Sequence, residues 1–449
     1  MKALIICAGR GSRLSSLTES LPKPLLELLG LRLIERVILS LREAGIREFY
    51  LVLGYRGEQI KAFLGDGKNY QVKIEYLENP DWEKGNGISV LIAKEHLKEK
   101  FLLVMADHIF DPELVKDLLR QEIAMDECLL AVDTEPAEYQ DISEATKVKL
   151  SDSKIIAISK ELGDFDGLDC GIFLCTSAIF PALEESIKRG DDTLTGGVRV
   201  LAERGKMRAF SISPKFWIDI DTEKDLVKAE KLLLKNLSKP TDGPVSKYLN
   251  RPLSTRLTRF LVRTRLTPNQ LTFISFLISL LAGGLFALGK YPALVLGGIM
   301  AQFASILDGC DGEVAKLKFQ KSDYGAWFDA VLDRYADALL ILGACFGHWL
   351  VYHQLSIWLV GFFAILGGFM NSYTAVKYDA IFIQNQKSPK FRIGRDLRLF
   401  LIFLAGLFNQ VWMVLLLLAI LTNLESLRRL YSLKPKSEIV LKKELESSL

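Results

Sequence analysis

Residues 308–337 read DGCDGEVAKLKFQKSDYGAWFDAVLDRYAD, and this stretch decides how the second half of the chain folds. It contains two pairs of carboxylates, Asp308 with Asp311 and Asp329 with Asp333. Because residues three or four apart share one face of a helix, each pair projects from a single face. Apolar sequence flanks both pairs, and carboxylates at the end of a membrane span cost free energy unless a cation neutralises them. The pattern therefore predicts a divalent metal site at a membrane surface, held by these four residues.

The same stretch resembles the signature of the CDP-alcohol phosphotransferases, integral membrane enzymes that displace CMP from a CDP-activated group. Seven positions match at the family's fixed spacing: Asp308, Asp311, Gly312, Ala315, Gly325, Asp329 and Asp333. The resemblance covers roughly the last two hundred residues. The alternative is a helix pair whose acids lie in solvated loops.

The resemblance also implies roles for single residues. The last aspartate, Asp333, would be the general base, with or without a metal contact. The bound nucleotide would lie against the small residues of the signature and the cation that follows them, Gly312, Ala315, Lys316 and Gly325. The family usually has Arg where this chain has Lys316, which keeps the charge but cannot form a bidentate fork to a phosphate.

Composition divides the 449 residues into two different halves. Up to about Pro240 the sequence is typical of a soluble globular domain, and beyond Leu266 it is typical of a membrane protein. The six cysteines form no C-x-x-C pair, which argues against zinc or a disulfide framework and favours a reducing compartment. The N-terminal apolar run leads into glycines, which indicates a buried strand and not a signal peptide. The net charge of +3 says little by itself, and we expect no nucleic-acid partner.

The N-terminal apolar run ends in the loop Gly9-Arg10-Gly11-Ser12-Arg13. This pattern is typical of a parallel strand whose carboxyl end leads into a ligand-binding loop. Glycines let backbone N–H groups approach phosphate oxygens, although such a loop alone could be an ordinary tight turn. Together with Pro22-Lys23-Pro24-Leu25, the loop resembles the signature of sugar-nucleotide pyrophosphorylases and related nucleotidyltransferases. This resemblance implies that Gly9 and Gly11 contact the nucleotide. Arg13 and Lys23 would hold the triphosphate and offset charge on the attacked phosphorus.

Three aspartates are the candidate metal ligands of this half. Asp107 follows an apolar strand, where the resemblance places a magnesium-binding aspartate. Asp219 and Asp221 alternate along the chain, so both can reach one cation from the same face of a strand. His108 is interpreted as a residue that supports the site, not a catalytic one.

Two further loops resemble substrate-binding segments of the same relatives. Gly85 and Asn86 would contact the base or the ribose, and Lys160 with the strand around Asp169 would bind the acceptor. The alternatives are a loop glycine and a surface lysine. Helical patterns alternate with strands in this half, which predicts a doubly wound, Rossmann-like α/β domain with a mostly parallel sheet over residues 1–230.

A linker and a basic segment separate the halves at residues 231–266. Residues 247–266 carry six cations and no acid, interleaved with apolar side chains. Such a segment is expected to lie along the membrane surface with its arginines toward the headgroups. The alternative is a solvated basic face.

Residues 267–449 are predicted to form an all-α domain of six transmembrane helices. Apolar runs occur at about 270–289, 292–307, 326–350 and 356–376. The run at 397–424 is either one tilted span or two short ones broken at Asn409-Gln410. Positive-inside counting favours two, because the basic segments at 247–265, 377–398 and 428–443 then share the cytoplasmic side.

The basic loop before the fifth span is the candidate site for the acceptor phosphate. It contains Lys387, Lys390, Arg392, Arg395 and Arg398. Arg395 and Arg398 are three apart and could project together into the cavity. The alternative for each residue is a positive-inside anchor.

An enzyme that makes a CDP-activated alcohol is thus joined to one that consumes such a compound. The whole chain resembles the family of bifunctional inositol-1-phosphate cytidylyltransferases and di-myo-inositol-phosphate phosphate synthases. The resemblance implies CTP and inositol 1-phosphate as substrates and Mg²⁺, or alternatively Mn²⁺, at both sites. It further implies a multi-pass protein of the cell membrane in contact with lipid, a homodimer formed through the membrane domain, and a cytoplasmic N-terminal domain and active sites. The alternatives are transfer of the CDP-alcohol to a lipid acceptor and a non-enzymatic scaffold with a nucleotide-sensing head.

Overall fold

A computed structural model describes residues 1–14, 18, 20–137, 142–238, 242–382 and 393–432. The chain divides into two compact units, Met1–Leu233 and Leu234–Leu449. Each unit is described by itself below.

The described part of the first unit alternates strands with helices. The strands are β1 (Lys2–Cys7), β2 (Glu27–Leu28), β3 (Leu31–Arg32), β4 (Glu48–Leu53), β5 (Lys73–Glu78), β6 (Phe101–Met105), β7 (His108–Phe110), β8 (Cys128–Asp133), β9 (Lys147–Ser151), β10 (Lys154–Ser159), β11 (Gly167–Cys175), β12 (Met207–Ser211) and β13 (Trp217–Asp219). The helices are α1 (Leu33–Glu43), α2 (Gly57–Leu64), α3 (Asn86–Ile92), α4 (Pro112–Leu119), α5 (Ile179–Lys188), α6 (Leu194–Glu203) and α7 (Glu223–Lys235), the last of which crosses the boundary between the units.

Nine strands form one sheet in the order β5-β4-β1-β6-β11-β8-β12-β10-β9. The strand β1 pairs in parallel with β4 on one side and with β6 on the other. Its side chains alternate between two buried clusters, with Ile5 in one and Leu4 in the other. Helices therefore cover both faces of the sheet, which explains why this strand is apolar throughout and confirms the doubly wound α/β class.

The expectation of a mostly parallel sheet holds for only part of it. The strand β11 is antiparallel to both β6 and β8, and β10 is antiparallel to β9 and β12. The physical reason for the β9–β10 pairing is that only two residues join these strands, which allows a hairpin but no crossover helix. No helix lies between β10 and β11 either, and the first residues of β11 pair antiparallel with β9.

Strand pairing brings distant acids to one edge of the sheet. The parallel strands β1 and β6 end side by side, which places the loop from Gly9 next to Asp107. The two-stranded ribbon of β7 and β13 then sets Asp219 directly opposite His108. The candidate site of the first unit lies at this edge.

The described second unit is helical. Its helices are α8 (Arg251–Leu261), α9 (Pro268–Ala287), α10 (Tyr291–Leu317), α11 (Asp323–Tyr352), α12 (Ser356–Phe382), α13 (Arg395–Leu407) and α14 (Val411–Ser432). Within the described residues, five of these helices are long and apolar enough to cross a membrane, namely α9, α10, α11, α12 and α14.

The ambiguous run at 397–424 forms two helices, α13 and α14, as predicted. The break falls at Asn409, whose φ of 55° is incompatible with a continuing helix. Helix α13 has 13 residues, so the count of six spans depends on a helix shorter than the usual crossing length. The basic residues at 433–443 lie outside the described residues.

Close packing between α9 and α11 aligns the acid-bearing helices. A Cβ on Gly343 of α11 would lie 2.1 Å from the carbonyl oxygen of Gly283 on α9, so only glycine permits this approach. Helix α11 begins at a cap in which the Ser322 hydroxyl accepts a hydrogen bond from the Gly325 N–H. Helix α9 packs on α10 as well as on α11, so the N-terminal part of α11 faces the C-terminal part of α10 at the second candidate site.

Candidate active sites

Lys23 is the centre of the site in the first unit. Its Nζ lies 2.6 Å from Asp107 Oδ2 and 2.8 Å from Asp221 Oδ1, and its side chain is 8% exposed. Burial would lower the pKa of Lys23, but the carboxylates of Asp107, Asp219 and Asp221 outweigh it and raise the pKa. The ammonium group is therefore a fixed positive charge at the end of strands β1 and β6.

Arg13 and the glycine loop form the other wall of this site. The Arg13 guanidinium donates to Asp221 Oδ2 at 2.9 Å and is half-exposed. Together with Gly9, Gly11 and Lys23 it lines a cavity of about 260 Å³. Gly11 has a φ of +68°, and a Cβ there would lie 2.9 Å from the Cβ of Lys23, so the loop requires glycine at this position.

Asp107, His108 and Asp219 form a compact group of potential metal ligands. One ligand atom from each residue lies within 4.8 Å of the others. The His108 Nδ1 is 2.9 Å from Asp107 Oδ1 and 3.6 Å from Asp219 Oδ1. Among the described residues, the buried Asp219 Oδ1 has no hydrogen-bond partner. Two carboxylates with a buried unsatisfied oxygen fit a hard divalent cation.

Burial and charge together set the pKa values of this group. Burial raises the pKa of Asp219 to about 6, with a further contribution from Asp107. Burial would lower the pKa of His108, but Asp219 and Asp107 raise it to about 9. The imidazole also stacks on the indole of Trp217, with ring centroids 6.0 Å apart. His108 is therefore a buried part of the cluster, in keeping with a supporting position.

A second cavity of about 780 Å³ adjoins this cluster. Its lining includes Arg13, Asn86, Lys160, Asp219 and Asp221, so the structure gathers these predicted residues around one space. Other polar residues of the lining carried no local sequence signal, namely Glu144, Thr195, Arg199, Lys224 and Lys228. They come from loops and helices far apart in the chain.

The loop at Gly85 has a packing role in the structure. The Gly85 N–H donates to Asp192 Oδ2 at 2.9 Å, and a Cβ on Gly85 would collide with Asp192. The Asn86 amide oxygen accepts from the Leu194 N–H at 2.8 Å and so fixes the start of α6. Asp169 lines the larger cavity, and burial raises its pKa to about 6.

In the second unit, Asp308, Asp329 and Asp333 converge. One carboxylate oxygen from each lies within 4.8 Å of the others, with Asp308 on α10 and with Asp329 and Asp333 on α11. Asp311 is not in this group, and its carboxylate accepts hydrogen bonds from the Thr272 hydroxyl and the Gly312 N–H. Three carboxylates from two helices are a donor set of hard oxygens, which fits a divalent cation.

Arg395 provides the positive charge of this cluster. Its Nη1 lies 2.9 Å from Asp308 Oδ2 and 2.7 Å from Asp333 Oδ1. Its Nε donates to Asp337 Oδ1 at 3.0 Å, and Arg398 Nη2 lies 3.1 Å from Asp337 Oδ2. The structure thus brings both predicted arginines to the site and adds Asp337, whose only sequence signal was its position one turn beyond Asp333. Lys387, Lys390 and Arg392 lie outside the described residues.

The remaining signature residues surround the same region. Gly312 has open space beside its Cα, Ala315 is buried, and Gly325 contributes to the cap of α11. Lys316 donates to the carbonyl oxygen of Asn236 at 2.5 Å. Gly312 therefore leaves the end of α10 accessible beside the acids.

Comparison with known proteins matches each half to a family. Residues 2–236 match the nucleotidyl transferase family, and residues 265–424 match the CDP-alcohol phosphatidyltransferase family. A protein of Rubrobacter xylanophilus named bifunctional IPC transferase and DIPP synthase is 38% identical over 444 residues, covering 96% of each chain. A protein of Aquifex aeolicus with the same name is 36% identical over 436 residues, covering 96% of this chain and 97% of that one. The solved structure of the inositol-1-phosphate CTP transferase from T. maritima is 27% identical, with a TM-score of 0.47, and covers 51% of this chain and 94% of that one.

Proposed function

The chain belongs to the family of bifunctional IPC transferases and DIPP synthases, and we propose from this premise the two reactions and the residues that perform them. In the first, CTP and inositol 1-phosphate give CDP-inositol and pyrophosphate. In the second, CDP-inositol and another inositol 1-phosphate give di-myo-inositol phosphate phosphate and CMP. One observation carries the proposal. The lysine–carboxylate site lies in the half that matches the nucleotidyl transferase family, and the aspartate cluster of Asp308, Asp329 and Asp333 lies in the half that matches the CDP-alcohol phosphatidyltransferase family.

In the first reaction a phosphate oxygen of inositol 1-phosphate attacks the α-phosphorus of CTP, and pyrophosphate leaves. Lys23 and Arg13 would bind the triphosphate, since both line the smaller cavity beside Gly9 and Gly11. Asp107, Asp219 and Asp221 would hold Mg²⁺ between them. The ion, when bound, would neutralise phosphate charge and help to align the attacking and leaving oxygens.

The larger cavity of the first unit would take the inositol phosphate. It is lined by Lys160 and by the half-buried Asp169, a cation for the phosphate and an acceptor for ring hydroxyls. Asn86 lines the same cavity and fixes α6, whereas Gly85 contributes through packing.

In the second reaction a hydroxyl of inositol 1-phosphate attacks the inositol-bearing phosphorus of CDP-inositol, and CMP leaves. Asp333 would take the proton of that hydroxyl. Asp308, Asp311 and Asp329 would hold Mg²⁺ against the pyrophosphate, and Gly312, Ala315, Lys316 and Gly325 would lie along the nucleotide. Arg395 and Arg398 would bind the phosphate of the acceptor, because their guanidinium groups lie beside the acids.

The C-terminal region is membrane-associated, as its apolar helices and its family match indicate. We place the first unit and both active sites in the cytoplasm, and we propose a homodimer formed through the membrane domain, surrounded by lipid. The chain is an enzyme, so the alternative of a non-enzymatic scaffold is wrong.

Membranes that contain the protein, incubated with radiolabelled CTP and inositol 1-phosphate, test the proposal. The expected result is labelled CDP-inositol in the first step. With inositol 1-phosphate labelled instead, a water-soluble diester should follow. Label that appears in a lipid would replace the second reaction by transfer to a membrane acceptor. A matched preparation of Lys23→Ala protein should form diester only when CDP-inositol is supplied.

A further inference from the structure

Asp337 lies outside the matched signature, yet it contacts both arginines of the second site. It follows Asp333 by one helical turn on α11, so both carboxylates project from one face. One of its oxygens accepts from Arg395 Nε at 3.0 Å, and the other lies 3.1 Å from Arg398 Nη2. The exposed fractions of the three side chains are 14% for Asp337, 13% for Arg395 and 9% for Arg398. One carboxylate therefore fixes two guanidinium groups side by side.

Arg395 is shared between Asp337 and the metal-ligand candidates. While its Nε contacts Asp337, its Nη1 lies 2.9 Å from Asp308 and 2.7 Å from Asp333. A metal ion held by Asp308 would share that carboxylate with the guanidinium, whose other partner here is the proposed base Asp333. The guanidinium and the metal would therefore compete for Asp308.

Arg398 has a backbone partner in addition to a carboxylate. Its Nη1 donates to the carbonyl oxygen of Gly368 at 2.7 Å, in addition to its contact with Asp337. Arg398 thus has an anchor on α12 that does not depend on an acid. Among the contacts described for Arg395, the only one away from the Asp308–Asp333 pair is Asp337.

We propose that Asp337 is a positioning residue of the second reaction, one that holds Arg395 and Arg398 together and limits the competition of Arg395 with the metal. The inference rests on the proposed function of this site. With Asp337 present, the Arg395 guanidinium contacts Asp337 through Nε and Asp308 and Asp333 through Nη1. Without Asp337, Asp308 and Asp333 would be its remaining carboxylate partners and would bind it more strongly, because a buried guanidinium strongly favours a carboxylate partner. Metal affinity should then fall, and the paired arginines should lose their alignment for a phosphate.

The test uses the full chain in detergent and the nearly isosteric variant Asp337→Asn. Mn²⁺ binding, followed by electron paramagnetic resonance without substrate, should weaken about tenfold, within the range seen when an outer partner of a metal site is removed. With CDP-inositol supplied, the KM for inositol 1-phosphate should rise about tenfold, with a smaller change in kcat. The matched control is Asp323→Asn, which removes an exposed carboxylate from the first turn of the same helix and should change neither quantity.

A second substitution separates positioning from simple loss of negative charge. In an Arg395→Gln background, Asp337→Asn should change Mn²⁺ affinity by less than about twofold, because the competing cation is absent. An equal loss in both backgrounds would mean a through-space charge effect and would overturn the proposal. Unchanged Mn²⁺ affinity and unchanged KM in Asp337→Asn would overturn it as well.

Thermal unfolding in detergent shows whether Asp337→Asn keeps a folded second unit. Asp337→Glu, which keeps the charge, should recover part of the Mn²⁺ affinity that Asp337→Asn loses. A Glu variant as weak as the Asn variant would contradict the positioning role. If wild-type protein formed no diester at all, the proposed function would fail. The Mn²⁺ comparison would still decide whether Asp337 controls Arg395.

Discussion

Lys23 Nζ lies 2.6 Å from Asp107 Oδ2, although 84 positions of sequence separate the two residues. Asp107 follows β6, and Lys23 follows the loop at the end of β1, the parallel neighbour of β6, so both side chains reach the same edge of the sheet. The same ammonium group also lies 2.8 Å from Asp221, so one lysine joins three segments of the chain. If Lys23 binds the nucleotide as proposed, a phosphate oxygen would join these two carboxylates around an ammonium group that has three N–H donors.

Lys23→Ala should abolish CTP-dependent formation of CDP-inositol, because it removes the buried cation that lines the cavity proposed for the nucleotide. The second unit should still use CDP-inositol supplied from outside. Both activities are measured on one preparation by separating labelled nucleotide, CDP-inositol and diester. Lys61→Ala, which changes an exposed lysine of α2, is the control. Pyrophosphate release from CTP by Lys23→Ala at the wild-type rate would remove Lys23 from the site.

Asp107→Ala should fail in the same step, for a different reason. The substitution removes one of the proposed metal ligands and leaves Lys23 and His108 with one carboxylate fewer. CDP-inositol formation should be lost at every Mg²⁺ concentration. Recovery of the wild-type rate at high Mg²⁺ would argue for a weak outer contact instead of a ligand.

Gly11→Ala should raise the KM for CTP and destabilise the protein only slightly. The new Cβ meets the Lys23 side chain, and the backbone at φ +68° is strained for any residue with a Cβ, at a cost of about 1 kcal/mol. Gly163→Ala is the matched control, because its Cβ meets nothing within 4 Å and its φ is not positive. Kinetics with CTP varied, together with thermal melting, distinguish the two effects. Equal KM values for both variants would exclude a role for the shape of this loop.

Asp333→Asn should keep CDP-inositol binding and lose turnover by about 10²- to 10⁴-fold, the usual contribution of a general base. Asp308→Asn and Asp311→Asn should lose both binding and turnover if those residues hold the metal. Binding of CDP-inositol with and without Mg²⁺ is measured by calorimetry. The comparison of Asp333 with Asp311 is informative, because the carboxylate of Asp333 converges with those of Asp308 and Asp329 to within 4.8 Å and that of Asp311 does not. If Asp333→Asn bound as poorly as Asp308→Asn, Asp333 would be a ligand and not the base.

Glu313→Ala should destabilise the second unit by about 3 to 5 kcal/mol, the range for breaking a buried ion pair. The Glu313 side chain is 1% exposed, and its oxygens lie 2.7 Å from Arg251, Ser254 and Thr258, so it fastens α8 to α10. Thermal unfolding in detergent measures the loss. Asp323→Ala, which removes an exposed acid, should leave the transition within about 0.5 kcal/mol. Equal transitions in the two variants would show that this network does not stabilise the unit.

A reporter fused after Leu430 should be cytoplasmic, and one fused after Gly289 should be external. The reason is that six crossings return the end of α14 to the side of the basic segments. Alkaline phosphatase and green fluorescent protein fusions report the two sides. An external signal after Leu430 would mean that α13, with its 13 residues, does not cross.

Much of the local structure could be predicted because it depends on periodicity. The spacing of Asp308, Asp311, Asp329 and Asp333 fixes which helix faces carry the acids, and the alternation of strands and helices fixes the α/β class. The break at Asn409-Gln410 was also predicted, since polar residues interrupt an apolar run there. Both family resemblances were confirmed by matches that together cover most of the chain. The metal, base and phosphate roles of single residues stay predictions.

The antiparallel half of the sheet and the partners of the site residues were decided by the tertiary structure. Nothing near residues 147–175 in sequence shows that β11 inserts between β6 and β8. Likewise, Asp337 had no motif of its own, and its two arginines lie on a helix that begins 58 positions later. Spacing along one helix or strand is set by backbone geometry, which the sequence carries directly. Contacts between distant segments depend on how whole elements pack, so Lys23 with Asp221 and Arg395 with Asp337 become neighbours only when the chain is folded.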